Sequence, residues 1–116
     1  MTTTRRIQGA VEFPADAPAS VARQITIELR DVSLQDRPST LVATTTLSQV
    51  SIGPKCRVPF DWQVPVVQGR PALSLRVQVD MHAGARHASG DFLSTTAQTL
   101  SPEGDVVGVA VPVTRL

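Results

Sequence analysis

Apolar and polar side chains alternate residue by residue through most of this 116-residue chain. Successive side chains of a β-strand point to opposite faces, so an alternation of period two predicts strands with one buried and one solvated face. Five segments show the pattern strongly: RRIQGAVEF, QITIELR, KCRVPFDWQV, LSLRVQVDMH and VVGVAVPV. Two threonine-rich segments, LVATTTLSQV and FLSTTAQTL, are weaker strand candidates whose register the sequence does not fix.

Nine prolines and seven glycines are spread along the chain and leave no room for a long helix. We therefore predict an all-β fold: a single-domain antiparallel β-sandwich of about seven short strands, transthyretin-like or immunoglobulin-like, over residues 1–116. An open barrel is the alternative. We expect residues 1–5 to be disordered. Pro59 and Pro112 lie inside strand patterns, and because proline cannot donate to a ladder they indicate edge strands or bulges.

The net charge and the low aromatic content of the chain bear on whether it binds nucleic acid. A net charge of +1 gives too weak a field to attract polyanions, and a chain with one Trp, three Phe and no Tyr offers few platforms for stacking bases. We therefore predict no nucleic-acid partner.

Cys56 is the only cysteine, so neither an internal disulfide nor a cysteine metal cluster can form. Its parity matches Val58 and Phe60, which predicts a buried small hydrophobe rather than a reactive nucleophile. The sequence contains no GxSxG, GxxxxGK[ST] or HExxH motif. We predict that the chain is not an enzyme and has no catalytic residues and no cofactor.

No apolar run approaches the roughly 20 residues of a membrane-spanning helix, and the two arginines near the start are not followed by an apolar leader segment. We predict no direct membrane span. The sequence as written predicts a cytoplasmic protein, or a periplasmic or envelope protein if a leader was removed.

The segment HAGARHASGD and its flanks contain the residue types that bind divalent metals. Asp80, His82, His87 and Asp91 could supply such ligands. Their spacing does not match a strong site, because the inner positions of an EF-type loop would lack oxygen ligands. We therefore favour a solvated hairpin loop without a metal, with these four residues as the metal candidates if one binds.

An outward-facing row on the strand LSLRVQVDMH contains Arg76, Gln78, Asp80 and His82. Such a row is more often a solvated sheet face than a recognition strip. If it does recognise a partner, Arg76, Gln78, His82 and Arg86 are the candidate binding residues.

Several segments in this order resemble the YbaY/YscW family of small bacterial envelope lipoproteins, which includes pilotin-type chaperones of type III secretion. The matching segments are IQGAVEF, PADAPAS, IELRDVSLQDRPST, VPFDWQV and LSLRVQVD, the most specific part being LRDVSLQD. In that part, we expect Asp31 and Ser33 to bond nearby amides and end the strand, while Val32 and Leu34 pack inward. The family's lipidated N-terminal cysteine has no counterpart, since Cys56 is internal.

The resemblance implies a β-sandwich that binds another protein or an apolar peptide. Our leading hypothesis is a non-catalytic protein-binding module, either a pilotin-like chaperone or an accessory subunit, that offers a sheet edge or an apolar groove to its partner. The product of a neighbouring gene is a candidate partner, and self-association into a homo-oligomer stays open. The alternative is a small-ligand or metal-binding protein that uses the 80–91 loop.

Overall fold

The computed structural model describes residues 4–33, 38–67, 69, 71–81, 91–94, 98–101 and 104–115, which fold entirely as strands, turns and loops. The strands are β1 (Thr4–Glu12), β2 (Ser20–Asp31), β3 (Thr40–Ile52), β4 (Arg57–Pro65), β5 (Leu73–Asp80), β6 (Phe92–Leu93), β7 (Gln98–Leu100), β8 (Val106–Pro112) and β9 (Thr114–Arg115).

These strands form two sheets that enclose one core, which confirms the predicted all-β sandwich. The first sheet has three strands in the order β4-β1-β8. The second has six, in the order β3-β2-β5-β6-β9, with β7 also paired to β5. All the pairs are antiparallel except β1 with β8, which is parallel.

The core is aliphatic and follows the alternation of the sequence. All four inward residues of β5 are buried, as are their neighbours on β2, Ile25, Ile27 and Leu29. Phe13 and Phe92 meet edge to face, with ring centroids 5.1 Å apart and an interplanar angle of 81°, a geometry that aromatic pairs prefer. The edge positions expected from proline are confirmed, since Pro59 lies on β4 and Pro112 on β8, the two outer strands of the smaller sheet.

The start of the chain differs from the expected disorder of residues 1–5 at Thr4 and Arg5, because β1 already begins at Thr4, while residues 1–3 lie outside the described range. Arg5 is only 4% exposed. Its Nη1 donates to the carbonyl oxygens of Ser101 and Gly104, the latter at 3.2 Å. Burial lowers the pKa of Arg5, and the charge of Asp105 opposes that shift. The guanidinium thus ties β1 to the chain before β8, which sequence alternation alone does not predict.

The parallel pair of β1 and β8 depends on a glycine. The register shifts between Gln8 and Gly9, where β8 bulges at Gly108, which has a φ of +81°. Gly9 lies opposite Val109, and a Cβ added to it would be no more than 3.0 Å from three Val109 atoms, two of them backbone. Only a residue without a side chain fits at this position.

Candidate functional site

Of the four metal candidates, Asp80 and Asp91 lie within the described residues, whereas His82 and His87 lie outside them, as does the binding candidate Arg86. Asp91 is 1% exposed, and its Oδ1 accepts a bond of 2.9 Å from the amide of Met81, so this carboxylate is tied to the end of β5. Asp80 Oδ1 accepts a bond of 3.2 Å from Gln78. Among the described residues, no group of three metal-ligating side chains forms, and a metal site at residues 80–91 stays a prediction.

The outward row of β5 lies in the middle of the polar face of the larger sheet. Arg76 is exposed and stands opposite Glu28, which is paired with Arg30 at 3.2 Å. Gln78 is half-buried, and its amide group donates to Asp80. These contacts are those of a solvated, internally paired sheet face, and the role of Arg76 and Gln78 in binding stays a prediction.

The segment LRDVSLQD ends β2 as expected but not in every detail. The amide of Ser33 donates to Asp31 Oδ1 at 2.9 Å, and Ser33 Oγ accepts from the amide of Ala72 at 2.8 Å. Hydrogen bonds that Asp31 accepts from the Ser33 hydroxyl and from the Ser33 amide lower the pKa of this carboxylate. The expectation that Val32 packs inward is wrong: it is 43% exposed, because it shares parity with Arg30 on the outer face and its amide bonds to Ala72. Leu34 lies outside the described residues.

A long free edge is the feature of the fold that most resembles a binding site. β3 is the outermost strand of the larger sheet and, within the described ranges, pairs on one side only. Its 13 residues contain no charge and no proline. The other outer strands are protected by the usual means: β4 and β8 carry prolines, and β7 and β9 have only three and two residues. An unprotected edge presents unpaired amides and carbonyls that another strand can bond.

The core is also incompletely covered beside this edge. The short turn of residues 53–56 joins β3 directly to β4, so the outer strands of both sheets lie on the same side of the sandwich. Six of the nine partly buried apolar residues that pack against the core belong to β3, β4 or this turn: Val42, Ala43, Leu47, Val50, Cys56 and Trp62. We call this region the open side: the free edge of β3, its half-buried row Ala43, Thr45 and Leu47, and the half-buried Trp62 of β4.

The open side combines backbone hydrogen-bonding groups with apolar side chains. A strand laid along β3 would bond the amides and carbonyls that point away from β2, while its alternate side chains would cover the half-buried row. Trp62 is a residue type enriched at the centres of protein interfaces. The sequence predicted an unprotected edge as the docking line but did not identify β3. The signal was present, since no charged residue stands between Arg37 and Lys55.

A second, shallower surface lies on the outer face of the smaller sheet. It is a groove of about 400 Å³ lined by Gln8, Ala10, Pro59 and Val107 among others. Val107 is 70% exposed. This groove includes Gly108 at the bulge of β8. The outer strands β4 and β8 both carry proline, so the groove offers side-chain contacts rather than a row of unpaired backbone groups.

Comparison with known proteins identifies the fold. No protein-family model matches the chain, and no curated protein matches it. Among solved structures the chain is similar to an alternative pilotin from the type II secretion system of Vibrio cholerae, with a TM-score of 0.67 and 18% identity, over 97% of this chain and 99% of that one. The chain thus shares its overall fold with this structure. Membership of the YbaY/YscW family stays a prediction.

Within the described ranges, no helix is long and apolar enough to cross a membrane.

Proposed function

We propose that this chain is a non-catalytic accessory protein that binds another protein along its open side, in the manner of a pilotin or chaperone of a secretion system. The observation that carries the proposal is the free, uncharged edge of β3 beside an incompletely covered core. The likeness in fold to a pilotin, a component of the type II secretion system, supports it. The binding of an extended partner segment would complete both the ladder of β3 and the cover over Trp62 and Leu47.

The partner segment follows from the chemistry of the open side. β3 is neutral, and its core-facing row is Ala43, Thr45 and Leu47, with Thr44 and Thr46 facing solvent. A complementary segment would be extended and uncharged, with apolar side chains at alternate positions that continue the core-facing row. A charged segment would lose hydration against this row without finding a counter-ion.

Hydrogen exchange tests the proposal directly. Products of neighbouring genes are mixed with the purified chain, and any stoichiometric complex is compared with the free protein at a concentration where the free protein is monomeric. We expect the β3 amides that point away from β2 to become protected, while amides of β4 and β8 do not change. Trp62 is the only tryptophan, so its emission should shift to shorter wavelength as the partner covers it.

Two leucines of β3 provide a matched pair of variants. Leu47 is half-buried on the open side, whereas Leu41 is 46% exposed on the outer face of the same strand. Leu47→Ala should weaken partner binding on the order of tenfold, about 1.4 kcal/mol, because it removes apolar surface that the partner covers. Leu41→Ala should leave binding within about twofold. The open side would be refuted as the binding site if the complex protected amides elsewhere, or if Leu47→Ala and Leu41→Ala changed the affinity for the partner equally.

A further inference from the structure

We infer that residues 43–47 of β3 pair in antiparallel fashion with the same residues of a second copy of this chain, giving a closed dimer in which two larger sheets become one continuous sheet. This goes beyond the proposed function, because it concerns the isolated chain and needs no other partner. The inference stands on the charge of β3, on its regular stretch and on the protection of the other edges.

The charge pattern permits β3 to meet its own copy. In a symmetric antiparallel pair the same strand supplies both sides, so a charge near its middle would lie close to its own copy, and like charges in that position destabilise pairing. β3 has none over 13 residues. Its neighbour β2, which is paired on both sides, carries Arg23, Glu28 and Arg30. Charge is therefore missing from the strand whose edge is free.

The local geometry limits the pairing to a short stretch. The register of β3 on β2 shifts at Val42, between the pairs Leu29 with Ala43 and Arg30 with Leu41. At the other end, Gln49 has a φ of 53°, in the left-handed region. Both features turn the edge away from a flat ladder, as bulges do. Residues 43–48 between them pair regularly with β2 and can accept a second strand.

The alternation of side chains then fixes the symmetry. For the core-facing rows of both copies to lie on the same side, residues of the same parity must stand opposite each other. A twofold axis at Thr45 satisfies this condition and sets Ala43 against Leu47 and Thr44 against Thr46. Each half-buried Leu47 is then covered by a small side chain of the other copy, and the outer threonines form cross-strand pairs.

The assembly stops at two copies. Pairing of this kind is isologous, so both copies use the same edge and no free copy of it remains. In the described part of the chain, the other outer strands are interrupted by Pro59 in β4 or by the bulge at Gly108 in β8, or are only two or three residues long, as β9 and β7 are. None offers a comparable edge on which a filament could grow.

Sedimentation of the purified chain over a wide concentration range tests the dimer. We expect a reversible, concentration-dependent shift from one copy to two. The double variant T44K/T46K places four ammonium groups together in the dimer and should be monomeric at every concentration, at least a tenfold loss of affinity. The control T4K/T99K also adds two lysines in place of exposed strand threonines, away from β3, and should dimerise like the unmodified chain.

Cysteine cross-linking tests the register. Residues directly opposite in an antiparallel ladder have Cα atoms about 4.5 to 5.5 Å apart, within the range of a disulfide. In a Cys56→Ala background, T45C should form a cross-linked dimer on mild oxidation and T46C should not. A chain that is monomeric at all concentrations, a dimer that survives T44K/T46K, growth beyond two copies, or cross-linking through residue 46 instead would each overturn the inference. None of these results depends on the heterologous partner of the proposed function.

Discussion

Replacement of Gly9 by alanine should lower the free energy of unfolding more than most other single changes along the edge of β1 that pairs with β8. The added Cβ would lie no more than 3.0 Å from three Val109 atoms, and because two of these are the carbonyl carbon and oxygen, a change of side-chain rotamer cannot relieve the contact. One strand must move away from the other. Overpacking that moves backbone reaches the upper end of the usual range, about 3 kcal/mol.

In a chain of this length, about 3 kcal/mol corresponds to a fall in Tm of roughly 10–15 °C. The measurement is urea or thermal unfolding followed by far-UV circular dichroism. Gly53→Ala is the matched control: an added Cβ there meets no atom within 4 Å and the backbone φ is not positive, so stability should stay within about 0.5 kcal/mol.

A double variant separates the two sources of the clash. Val109→Ala removes the Cγ1 contact but leaves the Val109 carbonyl in place, so Gly9→Ala/Val109→Ala should recover less than half of the stability lost by Gly9→Ala alone. If Gly9→Ala and Gly53→Ala unfold at the same urea concentration or temperature, then β8 does not approach β1 at this position, and the parallel pairing of these strands is wrong.

Two further predictions concern the turns. The bonds from Ser33 lower the pKa of Asp31 in the folded state, so this carboxylate contributes stability that is present above its unfolded pKa of 3.8 and lost as the pH falls through the folded value. The advantage of the unmodified chain over Asp31→Asn in urea unfolding should therefore be fully present at neutral pH and shrink as the pH falls below 3.8, and an advantage that is constant with pH would contradict the assignment. For the 80–91 loop, elemental analysis of the purified chain beside His82→Ala and His87→Ala should find no stoichiometric metal in any of the three, and metal that is lost with either variant would establish the alternative function.

The alternation of the sequence was sufficient for most of the fold because it reports which side chains lose contact with water. β5 shows this clearly: Leu73, Leu75, Val77 and Val79 are buried, as their parity predicts. Parity also predicts Val32 correctly when it is applied consistently, since Val32 follows Arg30 to the outer face. The hydrogen bonds that end β2 at Asp31 and Ser33 leave this parity unchanged.

The features that escaped prediction depend on contacts between distant parts of the chain. The parallel pairing of β8 with β1 joins residues about a hundred positions apart, and no local pattern distinguishes it from an antiparallel pair. The burial of Arg5 has the same origin, because its acceptors, the carbonyl oxygens of Ser101 and Gly104, come from the chain just before β8. In the sequence alone, Arg5 beside Arg6 near the start of the chain indicates a solvated segment.

The open side escaped identification for a related reason. The neutral, threonine-rich segment was visible, yet whether such a strand is an edge depends on how many strands each sheet receives. Here β3 is the outermost strand of a six-stranded sheet that faces a three-stranded one, and its core-facing residues Ala43, Thr45 and Leu47 are left half-buried. Threonine tolerates this position, since its methyl group packs and its hydroxyl remains solvated. The same composition would be unremarkable in a central strand.

Self-pairing and partner binding compete for the same backbone groups. An amide of β3 that bonds a second copy cannot bond a partner strand, so the two complexes exclude each other. A chain in the dimer is therefore unable to bind the partner until the dimer dissociates. The apparent affinity for the partner is then the affinity of the monomer multiplied by the fraction of chain that is monomeric, and this fraction falls as the chain becomes more concentrated. A weak dimer of five paired residues would protect the uncharged edge of β3 from aggregation. Because the dimer is weak, a partner segment that covers Trp62 as well as pairing with β3 could displace the second copy.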